Sequence, residues 1–234
     1  MLGLGNSLVA GGAPSEWTPL ELSNLLSWQS SKLGLVDASG AFPDDGETLA
    51  SWEDQSGNGR TMTVNATAQP TYLASEQAVN FSAGNMGMTF TEKAFAELTI
   101  YIKVKFTDGH AINTGDILVS DIGGSDFARP NLTPPTQMRW RINSANKNFT
   151  LDSALVADQY YVMGFERGPT GDDNLEFFLD NVSQGSTITN PTTNAFTIDN
   201  YYGGNKAYHK EIVMCDGRIS DAERNLLYNW MLTR

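Results

Sequence analysis

Hydrophobic and polar positions alternate most cleanly from Leu98 to Phe106. Leu98, Ile100, Ile102, Val104 and Phe106 interleave with Thr99, Tyr101, Lys103 and Lys105. That period of two predicts a strand with one buried and one wet face. Residues 160–167 and 175–180 read as further strands. In the second, Leu175, Phe177 and Leu179 share one side, which leaves Glu176, Phe178 and Asp180 for a solvated side. Residues 181–185 then read as a turn. Arg139-Trp140-Arg141-Ile142 alternates again, as one limb of a long hairpin. Its tryptophan either lies on the core or is an exposed binding aromatic. The period changes only near the C-terminus. An apolar run, Ile212 to Cys215, meets Asp216-Gly217, after which Leu226, Leu227, Trp230 and Met231 recur at helical spacing. Ser220 and Glu223 form a capping box at the start of that helix.

Local signals punctuate the rest. Thr18-Pro19-Leu20-Glu21 is a second capping-box pattern, with proline where a helix tolerates it, and Leu22, Leu25 and Leu26 extend it toward Trp28. One or two helical turns are expected there. Residues 37–51 are polar and turn-rich. Asn58-Gly59 is the two-residue signal of a type I′ hairpin. Pro130, Pro134 and Pro135 bracket a stretch that is unsuited to a central strand. No internal repeat or heptad pattern is present. An all-β antiparallel sandwich with helices only at its edges accounts for these elements.

Three motifs carry a resemblance. The strand-turn-helix Glu211-Ile212-Val213-Met214 … Arg218-Ile219-Ser220-Asp221-Ala222-Glu223-Arg224 is similar to the C-terminal end of concanavalin A-like, laminin-G-like jelly-roll domains. Trp52-Glu53-Asp54-Gln55-Ser56-Gly57-Asn58-Gly59 resembles a hairpin of the same domains. So does Gln69-Pro70-Thr71-Tyr72 followed by Ala78-Val79-Asn80-Phe81, although Ser82-Ala83-Gly84 displaces the glycine expected after that phenylalanine. The matches span residues 17–106 and 158–234. They imply a jelly-roll β-sandwich with a short N-terminal helix and a capped C-terminal one. Residues 107–157 leave the pattern, and loops there are where a partner surface is expected. Fold alone does not assign function.

The chain has 234 residues and a net charge of −12. So acidic a surface repels phosphate backbones and anionic lipid, which argues against nucleic acid and membrane insertion. Cys215 is the one cysteine, expected to be a small core residue. Residues 1–16 carry no basic region, and Gly3, Gly5, Gly11 and Gly12 break their apolar run, so neither a signal peptide nor a membrane span is expected. Their Met-Leu-Gly-Leu-Gly opening ahead of a jelly roll resembles that of structural proteins of tailed bacteriophages, particularly marine cyanophages. The domain reading is accordingly an assembly arm, 1–16, and a jelly roll, 17–234.

Catalytic chemistry finds little support. Glycosidases on sandwiches place paired acids on one strand, and no Glu-x-Asp-x-x-Glu run occurs. His110 and His209 lack a nucleophile motif, and both are expected at the surface. Asp116, Asp121 and Asp126 are too widely spaced for a calcium loop. No enzyme activity, metal or cofactor is therefore expected. Two readings of function remain. In the leading one the protein is a virion structural subunit, a head-decoration or tail-associated protein assembled in the host cytoplasm. It would be anchored to other virion proteins and to copies of itself through Leu2, Leu4, Leu8 and Val9. In the other it is a carbohydrate-binding, lectin-like module, with a host-surface glycan contacted by Trp140, Tyr201 or Tyr202 and by Asp121 or Asn205.

Overall fold

The computed structural model describes residues 16–64, 69–81, 86–107, 117–121, 123–131, 136–169, 175–184, 194–201 and 207–234. A 3₁₀ turn at Pro19–Glu21 opens the fold. The strands follow as β1 (Leu25–Ser30), β2 (Leu35–Asp37), β3 (Leu49–Trp52), β4 (Met62–Val64), β5 (Thr71–Leu73), β6 (Ala78–Asn80), β7 (Met88–Phe95), β8 (Leu98–Phe106) and β9 (Val119–Ser120). They continue with β10 (Phe127–Asn131), β11 (Gln137–Ile142), β12 (Ala145–Thr150), β13 (Tyr160–Arg167), β14 (Leu175–Leu179), β15 (Val182–Ser183), β16 (Phe196–Tyr201) and β17 (Ala207–Cys215). The helix α1, Asp221–Leu232, closes the chain.

The strands pair antiparallel in two sheets. One runs β15-β14-β13-β8-β17-β6-β5, with β1 also lying along β17. The other runs β12-β11-β10-β9-β16-β7-β4-β3-β2. Between them lies the main core, which includes Trp52, Phe81, Phe95, Ile102, Trp140, Phe165, Phe177 and Phe196. This is the all-β antiparallel sandwich that the alternation predicts. A second core, built from Trp28, Tyr101, Val162, Val213, Cys215, Leu227, Trp230 and Met231, lies on the far side of the first sheet, beneath α1. That sheet is therefore covered on both faces.

The second core corrects several expectations. All nine residues of β8 are buried: on the side expected to be wet, α1 covers Tyr101 and Lys103, while Glu76, Tyr160 and Tyr208 meet Lys105. Lys103 keeps its ammonium there by donating to the terminal carbonyls of Met231 (2.7 Å), Leu232 (3.3 Å) and Arg234 (2.8 Å), where the helix dipole is negative. Burial pulls its pKa down to about 8, and the charge of Lys210 adds to the shift. Gly164 lets the Tyr101 ring lie against the β13 backbone, since a Cβ there would sit 2.4 Å from Tyr101 Cζ. The Glu176–Phe178–Asp180 side is not solvated either: Phe178 is buried, with the Arg224 guanidinium 4.1 Å from its ring centroid. Leu226, assigned to the buried face of α1, is exposed instead.

Turn chemistry explains the other departures. Residues 25–30 form a strand rather than a continued helix, because β17 offers Glu211–Cys215 as a partner. Asn58-Gly59 does not close a two-residue hairpin. The β3–β4 connection is longer and folds around Asp54, whose carboxylate accepts from the backbone N–H groups of Trp28 (2.9 Å), Ser56 (2.9 Å) and Arg60 (3.0 Å). Two-residue turns with positive φ at both positions occur instead at Asn143-Ser144 and Asp180-Asn181. Pro130 lies inside β10, yet β9 pairs only with Phe127 and Ala128, so the proline disturbs no two-sided ladder.

The terminal cap is as the sequence predicts. Ser220 Oγ accepts from Glu223 N at 3.3 Å, and Ser220 N donates to Glu223 Oε2 at 2.8 Å. Replacing Ser220 with Ala is expected to cost about 1 kcal/mol in urea denaturation. A change within error would mean that the cap does not hold the helix.

Candidate functional site

The carboxylates that could have marked an active site are structural. Glu166 on β13 and Glu176 on β14 stand directly opposite one another. Glu166 is fully buried and accepts from Arg224 (2.7 and 2.9 Å), Arg218 (3.0 Å) and Tyr101 (3.2 Å). Arg218 also bonds Glu176. Glu211 on β17 is also buried and accepts from Trp28 Nε1 (3.0 Å), Ser30 Oγ (2.9 Å) and Arg234 (3.4 Å). Burial raises its pKa against those bonds. These groups are bonded and covered, so they bind the helix to the sheet and present nothing to a substrate. His209, expected at the surface, is buried on β17 and bonded through Nδ1 to the Tyr201 hydroxyl. Among the described residues no three His, Cys, Asp or Glu side chains gather as a metal site.

The expected glycan contacts are only partly brought into place. Trp140 is fully buried, with Phe165 and Phe196 edge-on to it at 5.8 and 5.4 Å. Tyr201 is fully buried beside Phe81 and His209. Neither ring has a face for a sugar, because both point inward from their strands into the cores. Asp121 is half-buried and its Oδ1 accepts from Asp126 N at 2.9 Å, closing a loop. Tyr202 and Asn205 lie outside the described residues, as do His110, Asp116 and the arm with Leu2, Leu4, Leu8 and Val9.

A different site stands where the edges of the two sheets meet. β2 ends one sheet and β5 ends the other, and Thr48 bridges to Thr71 across the gap. The β2–β3 loop folds back over that edge. Asp37 begins it with an Asx turn: Oδ1 accepts from Ser39 N (2.8 Å), Ser39 Oγ (2.7 Å) and Ala41 N (2.9 Å). Gly40, at φ +87°, completes the turn. The Ser39 hydroxyl, then the Ala41 N–H, hold the Asp37 carboxyl below the usual carboxylate range. Farther along, Asp44 N donates to Glu47 Oε2 at 2.7 Å, and Glu47 and Tyr72 pair through their backbones.

A cavity of about 350 Å³ opens between the limbs of this loop, lined by Asp37, Ala38, Ser39, Glu47 and Thr48. Phe42 projects from the same loop, 48% exposed, with its ring edge-on to Tyr72 at 5.1 Å. Every other phenylalanine and every tryptophan among the described residues is buried or half-buried. Chemically, the cavity offers carboxylates and hydroxyls as hydrogen-bond partners, on a loop that also carries an exposed aromatic ring. The sequence reading took residues 37–51 only as polar turns. The signal it passed over was Phe42 itself, a lone aromatic in a polar run with no alternating apolar partner.

No protein-family model matches the chain, and no curated protein matches it in sequence. Solved structures do. The sialidase of Trypanosoma rangeli in complex with sialic acid superposes with a TM-score of 0.57 at 13% identity, covering 94% of this chain and 34% of that one. The binding domain of botulinum neurotoxin serotype D superposes with a TM-score of 0.62 at 9% identity, covering 90% of this chain and 53% of that one. The serotype D/C binding domain gives 0.61 at 9%, with 92% and 53% covered. The chain thus spans about a third of the sialidase and about half of the toxin domains. These likenesses show the fold, a jelly-roll-like antiparallel β-sandwich.

Proposed function

We propose that the protein is a carbohydrate-binding module whose sugar site is the β2–β3 loop at the meeting of the sheet edges. The observation that carries this reading is an exposed ring, Phe42, on the loop whose Asp37, Ser39, Glu47 and Thr48 line a cavity. A pyranose has an apolar face that stacks on such a ring and hydroxyls that bond carboxylates and hydroxyls. The recurrence of the architecture in toxin binding domains and over a third of a sialidase supports it. Asp37, Asp44, Asp45 and Glu47 make this loop acidic, so a neutral saccharide fits it better than an anionic one. The leading expectation of the sequence, a virion subunit anchored by residues 1–16, rests on Leu2, Leu4, Leu8 and Val9, which lie outside the described residues.

Screening on an array of neutral oligosaccharides, followed by calorimetry on the best binder, tests the assignment. Fully burying a Phe side chain is worth about 1.5–3 kcal/mol and Phe42 has about half of its surface free, so Phe42→Ala should weaken binding roughly 4- to 12-fold, with only a small loss of melting temperature from the Tyr72 contact. Binding unchanged by Phe42→Ala would place the sugar elsewhere.

A further inference from the structure

The opposite end of the same nine-stranded sheet carries the reverse charge. On β10 and β11, Arg129 stands directly opposite Arg139, and Phe127 opposite Arg141. Their neighbours Ala128, Met138, Trp140 and Ile142 point into the core, so strand alternation puts all three arginines on the outer face. β12 extends that face with Asn148 opposite Arg139, Asn146 opposite Arg141 and Thr150 opposite Gln137.

Three guanidinium groups this close repel one another, and among the described residues no carboxylate pairs with them. Arg139 donates only to Asn148 Oδ1, at 2.9 Å. Arg129 and Arg141 lie over the Phe127 ring at 4.9 and 5.4 Å, which fixes their planes, while the Nε of each is buried without a hydrogen-bond partner. Burial, then Arg139 and Arg141, lower the pKa of Arg129. In a chain of net charge −12, a converged and unneutralised cationic face is a feature that folding does not require.

We infer that this face binds an acidic polysaccharide, with Arg129, Arg139 and Arg141 receiving its carboxylate or sulfate groups and Asn146 and Asn148 its hydroxyls. Guanidinium forks match both oxyanions in two-point fashion. Neutral amides around them suit a polyhydroxylated chain. Phe127 is too buried to stack with bases, so the face offers a nucleic acid no aromatic platform and suits a polysaccharide better. This site is separate from the Phe42 loop, since the two lie at opposite ends of one sheet, and either stands if the other fails.

The test uses the full chain in affinity electrophoresis through gels containing polygalacturonate, dextran sulfate or neutral dextran. Retardation by polygalacturonate, by dextran sulfate or by both, beyond that in dextran, is expected, and the pattern tells which oxyanion is taken. Arg129→Gln/Arg139→Gln/Arg141→Gln should abolish it and leave the melting temperature unchanged or raised, because repulsion is relieved. Lys210→Gln, which also removes a positive charge but on the other sheet, should leave it intact, and so should Phe42→Ala. No retardation beyond that in neutral dextran would overturn the proposal. Equal retardation of wild type and the triple variant would do the same.

Discussion

Replacing Glu166 with Gln is expected to destabilise the protein by about 3–5 kcal/mol. Its carboxylate is fully buried and receives two bonds from Arg224, one from Arg218 and one from Tyr101. An amide keeps the shape but removes the charge, so the buried Arg224 guanidinium keeps only the exposed Asp221 as a counter-ion, while Arg218 keeps Glu176. The cost of such a change is mostly that of a cation left buried and uncompensated, which is why it exceeds the worth of a surface pair. A second arm separates this cause from simple loss of packing. Glu166→Met combined with Arg224→Met removes both partners and should cost markedly less than the sum of the single changes. Urea denaturation at pH 7 measures wild type, Glu166→Gln, the two single Met variants and the double variant. If Glu166→Gln stays within about 1 kcal/mol of wild type, the network does not hold the helix on the sheet.

Trp230→Ala is expected to cost about 3–5 kcal/mol by the transfer and cavity terms of a large buried aromatic. Trp230 is 5% exposed and meets Trp28 edge-on at 5.4 Å, while the Arg234 guanidinium covers its ring at 4.9 Å. Trp28 in turn donates to the buried Glu211. Truncating Trp230 therefore opens the second core and exposes the environment of a buried carboxylate together. The loss should be read by thermal and urea unfolding, with tryptophan fluorescence of the folded state reporting the changed surroundings of Trp28. Unfolding curves that coincide with those of the wild type would show that α1 does not rest on the sheet.

Much of this fold was legible from local pattern. The alternation of β8, β11, β13 and β14 located those strands, and the capping box at Ser220 located α1. The sequence could not show what covered each face. Thr99, Tyr101, Lys103 and Lys105 look wet because polar residues alternate there, yet the helix lies more than a hundred positions away and no local signal announces it. Lys103 is polar because it satisfies the carbonyl end of that helix. Glu176 looks like part of a solvated face until the register sets it opposite the buried Glu166, with Arg218 bonded to both. The candidate sites failed for the same reason. Trp140 and Tyr201 are the large aromatics that a site would want, but strand alternation spends them on the cores. Phe42, in an irregular loop, follows no period and is the ring left outside. The arginine face needed the pairing of β10 with β11, since Arg129 is ten residues from the nearer of its companions.

The central claim is that the β2–β3 loop receives a sugar. Its most direct test is amide chemical-shift mapping of the isotopically labelled protein during titration with the best neutral oligosaccharide from the array. The account predicts shifts concentrated at residues 37–48 and at Tyr72, saturating together, and at roughly 4- to 12-fold higher sugar concentration in Phe42→Ala. Saturable shifts elsewhere with that loop unmoved, or no shifts with any oligosaccharide, would contradict it.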